Sequence, residues 1–427
     1  MQFIAFRLQA WASLVVVLAL YPALAWAVLR IAPRAQRDTL FAAVNVLGAY
    51  GLCAAALMTT YIGSVPALMR VVAVGFIGYL FFALLQYWLL YRASSQSEMW
   101  GAAALWFPIL ALIVVKYIPP VQNSFSSTLR KVEIQHFSAI FLGLSYLSFR
   151  VCHLVQEVRN EVVEMPSVSE YLSFLFFVPT LSLGPISPYS RYIESYRQPD
   201  REQTPIDRSL LRILVGLTKY LVLSTLLSQY TYSGLLLDGH PHHKIDLPIA
   251  IVSYTIYLYC NFSGFCDIVI GISGLLGIQV MENFDAPFGA RNLQEFWNRW
   301  HISLSVWLRD MMFMPLSKAL VRRFGPKNAN NCIAFSIVIV FVVIGIWHGV
   351  GINYALFGLW QGIGLAVVHY YSVFLKKKLG KQGFAAYRDN KIIYALGVVM
   401  TFTYFSLSGF LFANSWDDMH RIFRVLQ

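Results

Sequence analysis

The sequence predicts an all-α, multi-pass membrane protein, on three observations. Of its 427 residues 58% are hydrophobic and only 13% are charged, too little polar material to cover a soluble domain of this size. Apolar runs of about 17–25 residues, the length that crosses roughly 30 Å of hydrocarbon, recur along the whole chain. The basic residues, which give a formal net charge of +12, cluster in the short segments between those runs and not on one patch. That distribution is the signature of membrane topology, so nucleic acid is excluded as the reason for the charge.

Taken in order, the apolar runs lie near 11–29, 40–61, 67–91, 101–118, 136–155, 211–236, 247–277, 332–349, 353–375 and 391–413, roughly ten to eleven spans, within one or two. The first run has no small-residue cleavage pattern and is read as a retained helix. Arg30, Arg34 and Arg37 follow it, Arg92 follows the third, Arg150 and Arg159 the fifth, and Lys376, Lys377 and Lys378 the ninth. By the positive-inside rule these ends are cytoplasmic and the N-terminus lies outside, with Arg130 and Lys131 out of step. The chain reads as one integral membrane domain over 1–427, with 1–135 as peripheral N-terminal helices and 136–414 as the core.

Two regions depart from clean spans. Between Tyr171 and Tyr192, Pro179, Gly184, Pro185 and Pro188 interrupt an apolar stretch too short to cross by itself. Irregular backbone at membrane depth is tolerated only inside protein or along a cavity. Between Asn283 and Leu320, aromatic and polar residues alternate too densely for a lipid-facing helix, and the segment is read as short re-entrant or in-plane helices.

The chemistry concentrates in and after that second region. His301 sits in Phe296-Trp297-Asn298-Arg299-Trp300-His301, and His348 in Gly345-Ile346-Trp347-His348-Gly349. An imidazole inside an apolar run needs a reason to be there, and a neutral one can take a proton from an attacking hydroxyl. Gly345 and Gly349 flank His348 and leave room for a substrate or for another helix. Trp297, Trp300, His301 and Leu304 recur at helical spacing, so one face carries indoles beside the imidazole. Ser305, Arg309 and Asp310 continue that segment; Arg309 and Asp310 read equally well as paired surface charges. Asn261 and Asp267 lie within an apolar helix, where a carboxylate must be paired or face a cavity, so Asp267 either orients His301 or His348 or pairs with an arginine.

Five cysteines, Cys53, Cys152, Cys260, Cys266 and Cys332, lack paired spacing and read as small buried residues. His240, His242 and His243 lack the acidic companions of a metal site apart from Asp238 and Asp246, and no metal is expected.

Four ordered blocks carry a family resemblance: Asn261-Phe262-Ser263-Gly264-Phe265-Cys266-Asp267-Ile268, Glu282 to Phe288, Phe296 to Asp310, and Trp347-His348-Gly349. Together they resemble the membrane-bound O-acyltransferases, with weaker blocks at Phe141–Tyr146 and Leu183–Ile186, over roughly 137–414. The resemblance implies a helical bundle around a funnel or tunnel, His348 as principal catalytic residue and His301 as a second essential one. Trp297, Asn298, Arg299, Trp300, Ser305, Arg309, Asp310, Asn261 and Asp267 are then the supporting or substrate-binding set. Met311 to Lys318 departs from the alginate O-acetylase branch and, with Tyr354 to Gly362 and Phe405 to Leu411, looks closer to the branch that transfers D-alanyl groups; at Pro315 and Gln361 the resemblance leads one to expect a different residue, often a histidine.

That branch implies a bacterial cytoplasmic membrane location and a phosphopantetheine-linked acyl donor on a cytoplasmic acyl carrier protein. The acceptor hydroxyl would lie on an extracytoplasmic envelope polymer or relay protein, and no bound cofactor is implied. An O-acetyltransferase for an exported polysaccharide is the alternative within the family, and the sequence leaves open whether a second extracytoplasmic transferase completes the reaction. A transporter or flippase with a broken-helix site is the alternative outside it.

Overall fold

The structure is a computed structural model that describes residues 19–58, 65–118, 143–197, 205–349 and 351–426. Helices dominate it, and among the described residues the only extended pairings are two isolated bridges. Eight helical stretches are long and apolar enough to cross a membrane: Arg34–Ala55, Val72–Ala93, Glu98–Tyr117, Ile206–Leu236, Asp246–Leu275, Pro326–His348, Ile352–Asp389 and Lys391–Ala413. The other two expected runs fall partly outside the described residues; what is described of them is a short apolar helix, Ala19–Ile31, and the 16-residue helix Leu144–Arg159.

The chain gathers into two compact units, Met1–Ile213 with Val269–Met281, and Leu214–Ile268 with Glu282–Gln427. In the first, helices α1 (Ala19–Ile31), α2 (Arg34–Met58), α3 (Val65–Ala93), α4 (Glu98–Tyr117) and α5 (Leu144–Arg159) surround the interrupted segment. That segment resolves as α6 (Val168–Leu175), a 3₁₀ turn (Val178–Thr180) and α7 (Tyr189–Arg197). It is buried in protein, as irregular backbone at depth requires. Helix α6 starts on a capping box, Ser167 with Glu170, which satisfies two end donors reciprocally.

The break after α6 is held by Arg150, which is 2% exposed and donates to the carbonyls of Phe174, Leu175 and Thr180 and to the Thr180 hydroxyl. Arg150 is therefore not a cytoplasmic marker, as its place after an apolar run suggested. Glu157 does the converse at the start of α7, accepting from the backbone N–H groups of Tyr189 and Ser190. A buried guanidinium and a buried carboxylate thus take up the backbone groups that the prolines and turns leave unpaired.

In the second unit, Gly216 lies against Gly264, where a Cβ on Gly216 would stand 2.7 Å from the Gly264 carbonyl oxygen. This closeness of α8 (Ile206–Leu217) and α10 (Asp246–Leu275), α9 being Ser224–Ser228 between them, brings Lys219 Nζ to 2.8 Å from Asp267 Oδ2. Beyond α10 come the short helices α11 (Leu293–Trp297), α12 (Ile302–Leu308) and, after a π-helical turn at Arg309–Phe313, α13 (Met314–Phe324). The polar region from Asn283 to Leu320 is thus a run of short helices and not a span. Helices α14 (Ala329–His348), α15 (Ile352–Asp389), α16 (Lys391–Ala413) and α17 (Trp416–Val425) complete the unit.

Helices α14 and α15 touch backbone to backbone. A Cβ on Gly345 would meet the Tyr354 carbonyl oxygen at 2.3 Å, and one on Gly358 would meet that of Phe341 at 2.2 Å. Gly349 faces the Tyr354 ring in the same way, at 2.0 Å. The glycines around His348 therefore admit a neighbouring helix and fix where α14 ends, placing His348 at its last position.

Candidate active site

A cavity of about 650 Å³ lies within the second unit, walled by α10, α11, α12, α14, α15 and α16. Its lining is mostly apolar, with Phe262, Val340, Phe357, Phe405 and Phe412 among the walls, and a few polar groups converge on it: Gln294, Asn298, His301, Ser305, Arg309, His348 and His369. A mostly apolar concavity with a small number of placed polar groups is the ordinary form of a small-molecule site.

His301 reaches the cavity through an unusual backbone. It occupies the N-cap of α12 in the left-handed region, φ 47° and ψ 52°, which a non-glycine residue adopts only when its surroundings enforce it. The enforcement is visible. Asp285 N–H donates to the Arg299 carbonyl at 3.0 Å and Ile302 N–H to the Asn283 carbonyl at 3.0 Å, so 283–285 and 299–302 pair antiparallel. The Asn283 side-chain oxygen then meets His301 Nδ1 at 3.2 Å, Ser303 N–H at 3.1 Å and the Ser303 hydroxyl at 2.7 Å. The Phe262 ring stands edge-on to the imidazole, 4.8 Å between centroids and 80° between planes.

His301 is 5% exposed. Burial lowers its pKa to about 3, so the imidazole is neutral at physiological pH. His348, at the end of α14, packs against Trp347 at 4.7 Å, Phe412 at 5.1 Å and Phe357 at 6.5 Å between ring centroids.

The indoles form one wall. Trp300 packs on Phe296 and Phe405, at 5.5 and 5.0 Å between centroids. Trp297 packs on Phe341 at 5.0 Å and donates its indole N–H to Gln361 Oε1 at 3.3 Å. Gln361 is fully buried and passes the chain on, donating to Ser408 Oγ at 2.7 Å.

Of the residues singled out from sequence, His301, His348, Trp297, Asn298, Trp300, Ser305 and Arg309 all line this cavity. Arg299, Asp310, Asn261 and Asp267 are not part of its lining. Arg299 donates to Glu295 at 2.6 Å, and Asp310 accepts from the Arg309 guanidinium at 2.8 and 3.2 Å. Asp267 is paired with Lys219 at 2.8 Å, a lysine where an arginine was expected. Sequence reasoning gives no site role to Asn283, Phe262 or His369 and marks Gln361 only as a departure from the family pattern, although Asn283 and Phe262 stand inside the motif blocks and a buried amide beside a histidine is a readable signal.

Eight membrane-length helices define a multi-pass membrane protein, and the cavity in the second unit that two histidines line is a site suited to acid/base chemistry. The sequence model of the membrane-bound O-acyltransferase family matches residues 55–416, and the chain belongs to that family. The match begins well ahead of residue 137, so the family pattern includes much of the N-terminal part that had looked merely apolar.

Among its relatives is a teichoic acid D-alanyltransferase of Streptococcus thermophilus, 31% identical over 342 residues, 77% of this chain and 79% of the relative. A teichoic acid D-alanyltransferase of Bacillus subtilis is 28% identical over 77% of this chain and 81% of its own length. A probable alginate O-acetylase AlgI of Pseudomonas aeruginosa is 24% identical over 66% of this chain and 54% of its own. The protein is therefore an O-acyltransferase, and the transporter alternative falls.

Proposed function

We propose that the protein transfers a D-alanyl group from a carrier-protein thioester to a hydroxyl on an extracytoplasmic envelope polymer or relay protein, across a bacterial cytoplasmic membrane. The observation that carries the reading is the meeting of His301 and His348 on one largely apolar cavity. The two teichoic acid D-alanyltransferases, matched over 77% of this chain, favour D-alanyl over acetyl.

In this reading the donor is a phosphopantetheine arm presented from the cytoplasm by an acyl carrier protein, and the enzyme needs no bound cofactor of its own. His348 takes the proton of the acceptor hydroxyl while its oxygen attacks the thioester carbonyl. The tetrahedral intermediate collapses with loss of the thiolate, and the proton on His348 passes to that sulfur, leaving an ester and a free thiol. Water exclusion by the aromatic walls favours transfer over hydrolysis. Trp297, Asn298, Trp300, Ser305 and Arg309 shape and hold the donor, and the basic segment at Arg322 and Arg323 draws in an acidic carrier.

The test is transfer from an acylated carrier by the purified protein in nanodiscs. His348→Ala is expected to lower turnover by about 10²–10⁴-fold with its melting temperature kept; unchanged turnover would remove His348 from the chemistry. Acetyl transfer to an exported polysaccharide is the second reading, favoured by the alginate O-acetylase relatives. Mass spectrometry of envelope polymers from cells with and without the protein separates the two, since D-alanyl and acetyl esters differ in mass.

A further inference from the structure

We propose that Asn283 is a positioning residue: it holds His301 as the neutral tautomer with the proton on Nδ1, so that the nitrogen left for the cavity, Nε2, is a hydrogen-bond acceptor and not a donor. The proposal rests on the reading of this cavity as the transferase site.

The argument is one of donors and acceptors. Three groups converge on Asn283 Oδ1: Ser303 N–H at 3.1 Å, the Ser303 hydroxyl at 2.7 Å and His301 Nδ1 at 3.2 Å. A backbone N–H can only donate, so the end of the amide that faces it must be the oxygen. The other end agrees, because Asn283 Nδ2 lies 3.3 Å from Cys266 Sγ, which can accept. An amide oxygen carries no hydrogen. The hydrogen between it and the imidazole therefore belongs to Nδ1, and a neutral ring protonated there has its lone pair on Nε2.

The frame that fixes this is rigid. Asn283 is fully buried, its backbone carbonyl is taken by Ile302 N–H, and the Phe262 edge sets the plane of the ring. Burial also keeps the ring uncharged, which removes the alternative in which both nitrogens carry protons.

The consequence bears on roles. An oxyanion must be met by a donor, and an Nε2 lone pair cannot be one. His301 instead accepts an N–H or O–H from the substrate, such as an amide of the pantetheine arm or the acceptor hydroxyl. Donation to the oxyanion falls to another group, and the Trp297 indole N–H is already engaged by Gln361. The side-chain amides of Gln294 and Asn298, both in the cavity lining beside Trp297, can supply it.

The experiment reads the tautomer directly: nitrogen NMR of the full chain in nanodiscs with ¹⁵N-labelled histidine, the His301 signals assigned by their loss in His301→Gln. The wild type is expected to show protonated Nδ1 and bare Nε2 from pH 8 to 5. Asn283→Leu is expected to admit the Nε2-protonated form and to lower kcat at least about tenfold, in the sense of a wrong-tautomer defect. Asn283→Asp keeps an acceptor, so it should retain the Nδ1 proton, recover part of kcat and move the onset of ring protonation to higher pH. Ser303→Ala removes a donor from the same oxygen and should lower the melting temperature without moving the tautomer, which a merely structural role for Asn283 would not separate. A wild-type ring protonated on Nε2, or a tautomer unmoved by Asn283→Leu, overturns the proposal. Full transfer by His301→Gln would instead overturn the role of His301 in the transferase site and leave the tautomer assignment standing.

Discussion

Arg150 in one compact unit and Asn283 in the other solve the same problem with opposite chemistry. Each is a buried polar side chain that ties down irregular backbone deep in the protein, and each makes several hydrogen bonds. The guanidinium of Arg150 spends its donors on carbonyls and a hydroxyl, and around it the packing is tyrosine and phenylalanine. Asn283 uses its oxygen on a backbone N–H, a hydroxyl and an imidazole, and the imidazole has a second nitrogen. A polar group at depth is thus not itself a sign of function. What distinguishes the two regions is whether the satisfied network ends on a group with chemistry left over and a cavity beside it.

Two substitutions break this comparison most sharply. His348→Ala should abolish transfer by about 10²–10⁴-fold while the melting temperature stays near wild type, because the side chain lies at a helix end against a cavity. Arg150→Met should do the reverse: the buried carbonyls of Leu175 and Thr180 lose the guanidinium while that of Phe174 keeps its bond from Phe177 N–H, for a cost of at least about 2 kcal/mol, and the folded fraction that survives should keep its turnover. Thermal unfolding in nanodiscs alongside an acylated-carrier assay reads both. An Arg150→Met protein with normal melting but no turnover would reverse the assignment of the two regions.

Gln361 sits between those extremes. It is fully buried, accepts from the Trp297 indole and donates to Ser408, so it acts on the cavity wall through Trp297. Gln361→Met leaves that indole N–H without its acceptor, at a cost of about 1–2 kcal/mol. KM for the acylated carrier should rise more than kcat falls, since the displaced indole lines the cavity and makes no bond in the reaction. Equal losses in kcat and kcat/KM would place Trp297 in the transition state instead.

These contrasts explain what was legible in the sequence. His301 and His348 stood out because an ionisable ring in an apolar run is expensive, whereas the single helical face expected over Trp297, Trp300, His301 and Leu304 is not kept: α11 ends at Trp297 and α12 begins at Ile302. Seven of the eleven residues so chosen line one cavity. Three of the other four, Arg299, Asp310 and Asp267, fail for one reason: a carboxylate or guanidinium announces that it has a partner, not which one; Asn261 lies outside the lining without a charge to explain it. Lys219 reaches Asp267 only because Gly216 and Gly264 let two helices touch. Glu295 and Arg309 likewise claim Arg299 and Asp310 locally. Asn283 was passed over because it is uncharged and lies in a loop. Its meaning comes from the antiparallel pairing of 283–285 with 299–302, which no local pattern announces. Arg150 misled in the other direction, since a lone arginine after an apolar run looks like a cytoplasmic flag until its carbonyl partners are known.

The smallest effect concerns the histidine cluster, which has charge without a cavity. His242 Nε2 lies 2.9 Å from Asp238 Oδ1, and its Nδ1 lies 3.4 Å from Asp246 Oδ2. Its backbone N–H donates to the Val425 carbonyl at 2.7 Å, so the loop is latched to the end of α17. The hydrogen bond to Asp238 raises the His242 pKa, and the backbone N–H of His240, followed by His242 itself, lowers that of Asp238. For the histidine, whose folded pKa is raised, the contribution is present below its ordinary value near 6.5 and is lost as pH rises through the folded value. For the aspartate, whose folded pKa is lowered, it is present above the ordinary value near 3.8 and is lost as pH falls through the folded one. The latch should therefore be tightest between those two limits and loosen on the alkaline side first. Hydrogen exchange of residues 238–246 and 420–426, corrected for intrinsic rates, should quicken modestly from pH 6 to 8, and His242→Gln should flatten that change. Because the loop is solvated, the effect should leave global melting nearly untouched. Exchange that is independent of pH in the wild type would mean that the Val425 carbonyl bond and the packing of α17 hold the loop without help from charge.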